Sequence, residues 1–434
     1  MPSSVDVPIR CDGHEASWPE RLHGTSVEAL YVHVPFCVRK CAYCDFSSWA
    51  TPRDDALMER YVDALCAHLG EARDADLLTQ CRTAYVGGGT PSMLAPSDLG
   101  RLVRTMRAAA PHLRELTCEA NPDSLTDEVL RTLVKSGVTR VSIGVQSLQD
   151  DELVALGRLH DARQAEERVA AAVACGLDVS VDLMCATPLQ TDERWLDTLR
   201  RASALGVGHV SVYPLQIEEG TALGREVGDA DPTWNDSEVQ AHRMELAEEL
   251  LTGKGYARYE VASYALPGKA CAHNLAYWSG RPYLGLGTGA SSMLTAEAYE
   301  ALRGTWPRLP KRREDAARVR LTVTSPRDAL ACNHSLASLD AEVELLTANQ
   351  AAAEDLMLGM RMARGADPGL MRHARQLLGE ETLDDAVRWC QARGLAQWED
   401  GRLVPTHEGW LMGNKLYGAL WDLAEGTPIT SETS

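Results

Sequence analysis

Cys37, Cys41 and Cys44 lie in the run Tyr31-Val-His-Val-Pro-Phe-Cys-Val-Arg-Lys-Cys-Ala-Tyr-Cys-Asp-Phe46. Three thiolates at Cys-x3-Cys-x2-Cys spacing, directly after a short apolar strand, can each bind one iron of a cubane cluster. No fourth ligand follows locally, so one iron would stay open and could chelate a small molecule. A structural zinc site is the competing reading. Zinc knuckles pair one Cys-x2-Cys with a second, and the chain has no second pair.

Other candidate residues recur at the ends of predicted strands. Gly87-Gly-Gly-Thr-Pro-Ser92 follows one strand, and its glycines would let backbone groups approach a ligand closely. Glu119-Ala-Asn-Pro122 ends another strand and places the Glu119 carboxylate where it could bind a hydroxyl or an ammonium, and Ser142-Ile-Gly-Val-Gln-Ser147 ends a fourth. Each alone would read as an ordinary surface or interior polar group; together they form a set. Predicted strands are Leu30–Val34, Thr83–Val86, Leu116–Ala120, Arg140–Ile143, Val179–Met184 and His209–Tyr213. Predicted helices between them are Asp54–Leu69, Asp98–Ala109, Asp127–Ser136, Ala162–Cys175 and Glu193–Ala204, followed by Asn235–Thr252. Six β/α units in series predict an α/β fold with a parallel sheet, closed or partly closed as a barrel. Barrels of this kind place their sites at the C-terminal ends of the strands.

At 434 residues the chain suggests two or three domains. Residues 1–26 read as an arm, 27–260 as the β/α core, 261–338 as loop-rich with Gly and Pro clusters, and 339–434 as mostly helical. In that last part Leu345–Arg361, Leu370–Leu378 and Leu383–Arg393 precede Leu395–Trp398, a turn at Glu399-Asp-Gly401, and Leu403–Pro405. This is the order of a winged helix. The net charge of −19 and the lack of a basic recognition helix argue against a nucleic-acid partner, and Lys311-Arg-Arg313 reads as solvated surface. No uninterrupted run of about 18 apolar residues predicts a transmembrane segment. The N-terminus has no signal-peptide pattern. The other nine cysteines are scattered singly, as in a reducing compartment, so the expected location is cytoplasmic.

The cysteine triplet and the strand-end motifs resemble radical S-adenosylmethionine (SAM) proteins of the oxygen-independent coproporphyrinogen III oxidase family. The resemblance runs from about Leu30 to Glu425 and is strongest to the haem chaperone branch, HemW. It implies a partial (β/α)6 barrel with a C-terminal helical module and a [4Fe–4S] cluster on Cys37, Cys41 and Cys44. It implies SAM contacts from Tyr31, Tyr43, Gly88, Gly89, Thr90, Glu119, Gln146, Arg158 and Asp182. His273-Asn-Leu-Ala-Tyr-Trp278 is similar to the chaperone branch. Its His273, Asn274, Tyr277 and Trp278 would supply an imidazole for haem iron and aromatics to flank a macrocycle, or would simply pack the loop onto the barrel. The implied partners are haem or a porphyrinogen, an electron donor such as flavodoxin or ferredoxin, and a haem-acceptor protein.

The oxidases carry a fourth cysteine two residues after the third, where this chain has Phe46. That favours a haem chaperone over oxidative decarboxylation of coproporphyrinogen III; a radical SAM methyltransferase is a third expectation. Whether the chain turns over SAM stays open at this point. Two departures stand out. Ser291 replaces a usual histidine in Gly289-Ala-Ser-Ser292, and Thr187-Pro-Leu-Gln-Thr191 replaces a usual Leu-Pro-Gly-Gln-Thr.

Overall fold

The computed structural model describes residues 24–228 and 232–425; most of the expected N-terminal arm lies outside them. Six strands alternate with helices: β1 (Ala29–Val34), β2 (Thr83–Gly88), β3 (Glu115–Ala120), β4 (Arg140–Gln146), β5 (Asp178–Cys185) and β6 (His209–Pro214). They pair in parallel in chain order. The expected helices fall between them; Asp127–Ser136 has the expected bounds, while others shift at an end, the first spanning Leu57–Asp74 rather than Asp54–Leu69. Asp55 accounts for that start, because its carboxylate accepts from the Leu57 amide at 2.9 Å. Thr126, Asp161 and Thr191 cap later helices through their side-chain oxygens.

The strands alternate in a way that sets the site. Ala84, Val86, Leu116, Cys118, Val141, Ile143, Val179, Val181, Val210 and Val212 are buried beneath the surrounding helices. The intervening positions carry Thr83, Tyr85, Thr117, Glu119, Ser142, Ser180, Asp182, His209 and Ser211, which face inward; Tyr85 pairs with Glu119, Ser142 with Asp182 and Ser180 with His209. The period of two is that of side chains on a strand. The lumen is therefore polar, with its apolar core in the surrounding helix layer.

The segment 261–338 holds more strand than its glycines and prolines suggest. β7 (Ser263–Ala265) runs antiparallel to β6, and β8 (Tyr283–Leu286) adds in parallel to the free edge of β1. β9 (Ser291–Thr295), β10 (Ala316–Val323) and β11 (Ala341–Thr347) continue the sheet antiparallel. Gly285 lies within β8, and Gly287, at the turn after it with φ 106°, packs where a Cβ would lie 2.5 Å from the His33 carbonyl oxygen. β11 also claims the start of the helix expected at Leu345. That helix begins instead at Ala348, behind a Thr347/Gln350 capping box, and ends at Met360.

Helices Pro368–Leu378 and Glu380–Ala392 and the hairpin Ala396–Glu399/Arg402–Pro405 follow. Asp400 and Gly401 both have positive φ, the two-residue turn that suits a twisted hairpin. This C-terminal module has its own core around Leu356, Leu370, Leu383, Leu403 and Leu416. Arg318 of β10 ties it to the sheet, donating to both Asp355 oxygens at 2.8 Å and to Glu354 at 2.8 Å with all three groups buried. Among the described residues no helix is long and apolar enough to cross a membrane.

Candidate functional site

The cysteine loop leaves β1 through the short strand Phe36–Cys37, which pairs with Trp49–Ala50. Its backbone is pinned on several sides. Thr90 N–H donates to the Phe36 carbonyl at 2.7 Å, Ala42 N–H to Leu156 at 3.1 Å, and Leu223 N–H to Ala42 at 2.7 Å. His33 holds it from below, because Nε2 reaches the Ser47 carbonyl at 2.8 Å and Nδ1 reaches the Tyr31 hydroxyl at 2.9 Å. A carbonyl can only accept, so Nε2 carries the proton and Tyr31 donates to Nδ1. Burial lowers the His33 pKa, which keeps the ring neutral in this role.

The three thiols are free and partly exposed. A closed series of hydrogen bonds joins two of them through the strand ends. Thr90 Oγ1 donates to Cys37 Sγ at 3.6 Å, Asn121 Nδ2 donates to Thr90 Oγ1 at 3.0 Å, Arg158 Nη2 donates to Asn121 Oδ1 at 2.7 Å, and Arg158 Nη1 donates to Cys41 Sγ at 3.3 Å. Arg158 also donates to the Gly144 carbonyl at 2.7 Å, while its buried Nε has no partner. Burial raises the Cys37 thiol pKa; hydrogen bonds from Thr90 and Ser48 and the Arg158 charge oppose that rise. Burial likewise raises Cys44. A cationic group and hydroxyl donors aimed at sulfur suit a thiolate-bound, electron-rich cluster. Among the described residues no three Cys, His, Asp or Glu side chains close around one point. A cubane takes one thiolate per iron.

Around this loop the strand ends bring the other expected residues together. Gly88, with φ 108°, packs so tightly that a Cβ would lie 2.3 Å from the His33 ring; at Gly89 it would lie 2.6 Å from the Phe36 carbonyl oxygen. Glu119 accepts from Gly88 N–H and from the Tyr85 hydroxyl, each at 2.9 Å. Burial pushes its pKa up to about 7, with Asp182 adding to the rise and the two donors opposing it. Asp182 accepts from Ser142, and burial pushes it up to about 6. Gln146 has φ 66° at a register shift that ends β4. Tyr43 is half-buried against Leu156, Met184, Leu215 and Leu223, with its pKa raised by burial. Phe46 is 64% exposed on the same loop.

His273, Asn274, Tyr277 and Trp278 are elsewhere. They lie on the helix Ala272–Trp278, which closes the opposite end of the lumen. His273 Nδ1 meets Thr83 Oγ1 at 3.1 Å and its amide donates to Glu115 at 2.9 Å; these partners are the first residues of β2 and β3. Asn274 reaches the Tyr259 hydroxyl at 3.4 Å, and Tyr277 stacks on Tyr283 at 4.1 Å. Trp278 lies under the Arg361 guanidinium at 5.2 Å. The buried Nε2 of His273 has no partner, and burial lowers the ring's pKa to about 3. Ser291 is exposed on β9, 2.9 Å from Thr322 Oγ1.

Sequence reasoning passed over Tyr85, Asn121, Ser142 and His33. The signal that finds them is the strand period: each shares the inward parity of a residue already chosen, or sits one step beyond a strand end.

Residues 31–202 match the Radical SAM superfamily, and residues 346–412 match the HemN C-terminal domain. Over 396 residues the chain is 33% identical to the haem chaperone HemW of Mycobacterium tuberculosis, covering 90% of this chain and 94% of that one. It is 38% identical to the haem chaperone HemW of Escherichia coli over 294 residues, 65% of this chain and 74% of that protein. Among solved structures, coproporphyrinogen III oxidase (HemN) from Escherichia coli, a radical SAM enzyme, superposes with a TM-score of 0.71 at 20% identity over 92% of each chain. That likeness is one of fold.

Proposed function

The chain belongs to the HemW family of radical SAM proteins, and on that premise we propose that it binds haem and delivers it to acceptor proteins in the cytoplasm. A [4Fe–4S] cluster and SAM are the cofactors of its superfamily; together they supply one-electron chemistry at a sulfonium. In this reading Cys37, Cys41 and Cys44 each hold one iron. Arg158 and Thr90 stabilise sulfur charge and keep the loop seated on the strand ends. Gly88 and Gly89 offer backbone to the amino-acid part of SAM, and the Arg158 guanidinium suits its carboxylate. Glu119 and Asp182, ionised, would accept from an ammonium or a ribose hydroxyl. Gln146 and Tyr43 lie at the same mouth, and Tyr31 stands deeper on β1, level with Tyr85, its hydroxyl donating to His33 Nδ1. An electron carrier such as flavodoxin or ferredoxin would serve the cluster.

The observation that carries the chaperone reading is the likeness to HemW along nearly the whole of both chains, together with Phe46 at the position of the oxidases' fourth cysteine. His273 could reach a haem iron only through Nε2, and only if the helix Ala272–Trp278 lifts from the floor of the barrel. Anaerobic titration of the reconstituted protein with haem, followed at the Soret band, tests the function. Saturation near about one haem per chain is expected. Absence of saturable binding would overturn it and make coproporphyrinogen III the first substrate to try.

A further inference from the structure

Tyr85 stands midway along β2, in register with Tyr31 on β1 and Thr117 on β3. Its hydroxyl donates to Glu119 Oε1 at 2.9 Å, while Gly88 N–H donates to Oε2 at 2.9 Å. Both carboxylate oxygens are thus held from one strand. Gly87 makes room for this contact, since a Cβ there would lie 2.8 Å from the Glu119 carboxyl carbon and 2.9 Å from the Tyr85 ring. On its other side the Tyr85 ring stacks on His273 at 5.2 Å and 29° and lies 6.3 Å from the Tyr31 ring. The phenol cannot swing away from Glu119 without breaking that stack. Tyr85 therefore links the closed floor of the barrel to its open mouth.

We propose that Tyr85 is a positioning residue: braced on His273, it aims the Glu119 carboxylate at SAM. The inference rests on the reading that Glu119 binds SAM. The same hydrogen bond favours the ionised carboxylate against burial and against Asp182 on β5. Tyr31 on β1 and Tyr213 on β6 also feel the Glu119 charge, and Arg158 faces Asp182. SAM carries an ammonium and hydroxyl donors, so the ionised carboxylate is the binding form. Affinity should fall as pH drops through the Glu119 pKa, and removing the Tyr85 donor should move that fall to higher pH.

The test is SAM affinity, measured by anaerobic calorimetry between pH 5.5 and 8.5 on reconstituted protein with matched cluster content. Tyr85→Phe keeps the stack and removes the donor. It should weaken SAM binding by about tenfold at neutral pH, the scale of one hydrogen bond to a charged group, and shift the acid limb upward. Glu119→Gln should abolish the limb, and adding Tyr85→Phe to it should cost nothing further. Gly87→Ala, whose methyl would press between Tyr85 and Glu119, probes the same contact should Tyr85→Phe fail to fold, and should weaken SAM binding too. Wild-type affinity and an unmoved limb in Tyr85→Phe, or in Gly87→Ala when it stands in, would overturn the proposal. Wild-type affinity in Glu119→Gln would instead remove the premise that Glu119 binds SAM.

Discussion

The two ends of the barrel are built from the same strands yet use polar residues in opposite ways. At the mouth, three part-exposed thiols, the Arg158 Nε without a partner and two carboxylates with pKa values pushed to about 7 and 6 leave interactions unmet. At the floor, polar groups largely satisfy one another. His209 meets Ser180 at 2.7 Å and the Tyr259 hydroxyl at 2.8 Å, Arg140 meets Glu115 at 3.3 Å, and His273 meets Thr83. Burial lowers the pKa of both floor histidines to about 3. Buried polar groups without a ligand to serve must pair within the protein, and the floor does so through these pairs, leaving the buried His273 Nε2 and Arg140 Nη1 without a partner. Residue type alone therefore did not separate a ligand site from a plug.

The largest expected effect is at the mouth. Replacing Cys37, Cys41 or Cys44 by Ala should abolish the brown cluster spectrum after anaerobic reconstitution; retained cluster content in any of the three would remove that thiol from the site. Glu119→Gln should weaken SAM binding about a hundredfold by removing a charged acceptor of hydrogen bonds, with cluster content unchanged. At the floor, His273→Ala should cost about 3 kcal/mol of stability in urea unfolding, as other buried-ring truncations do. Cluster content should again be unchanged. A His273→Ala protein of undiminished stability that no longer binds haem would break the comparison, because the floor would then be a ligand site.

The smallest effect is a difference of sign with pH in the protein without cluster or SAM. Glu119 and Asp182 titrate higher folded, at about 7 and 6, than unfolded, at about 4. The stability they contribute is present at low pH and is lost as pH rises through that window. His273 and His209 titrate lower folded, at about 3, than unfolded, at about 6.5. Their contribution is present above that value and is lost as pH falls. Chemical denaturation from pH 4.5 to 8 should show His273→Phe reducing the acid-side loss and Glu119→Gln reducing the loss toward neutral pH. Parallel pH curves for wild type and both variants would deny the opposed titrations.

The mouth was the more legible end. Its motifs sit at strand ends, and the turn glycines, the cysteine spacing and the lone carboxylates are local signals that survive in one dimension. The five crossover helices were also readable from their spacing and caps. The added sheet edge was not, because β8 carries Gly285 within it and Pro282, Gly287 and Gly289 crowd its ends, and each of β8 to β11 is held as a strand by pairing to its neighbour in the extended sheet. Tyr85 was missed for a related reason: its importance comes from Glu119 on the next strand and His273 far along the chain, contacts without a sequence signature. The His273 string was visible as a motif, but its position at the floor depends on how the chain returns beneath the barrel.

The central claim is that one mouth holds cluster and SAM together on Cys37, Cys41, Cys44 and the strand-end residues. Electron paramagnetic resonance of the reduced, reconstituted protein with and without SAM tests it most directly. The account predicts a cluster signal whose g-values change on adding SAM, with the change lost in Glu119→Gln and the signal itself lost in Cys41→Ala. A cluster signal indifferent to SAM, or one that survives Cys41→Ala, would contradict it.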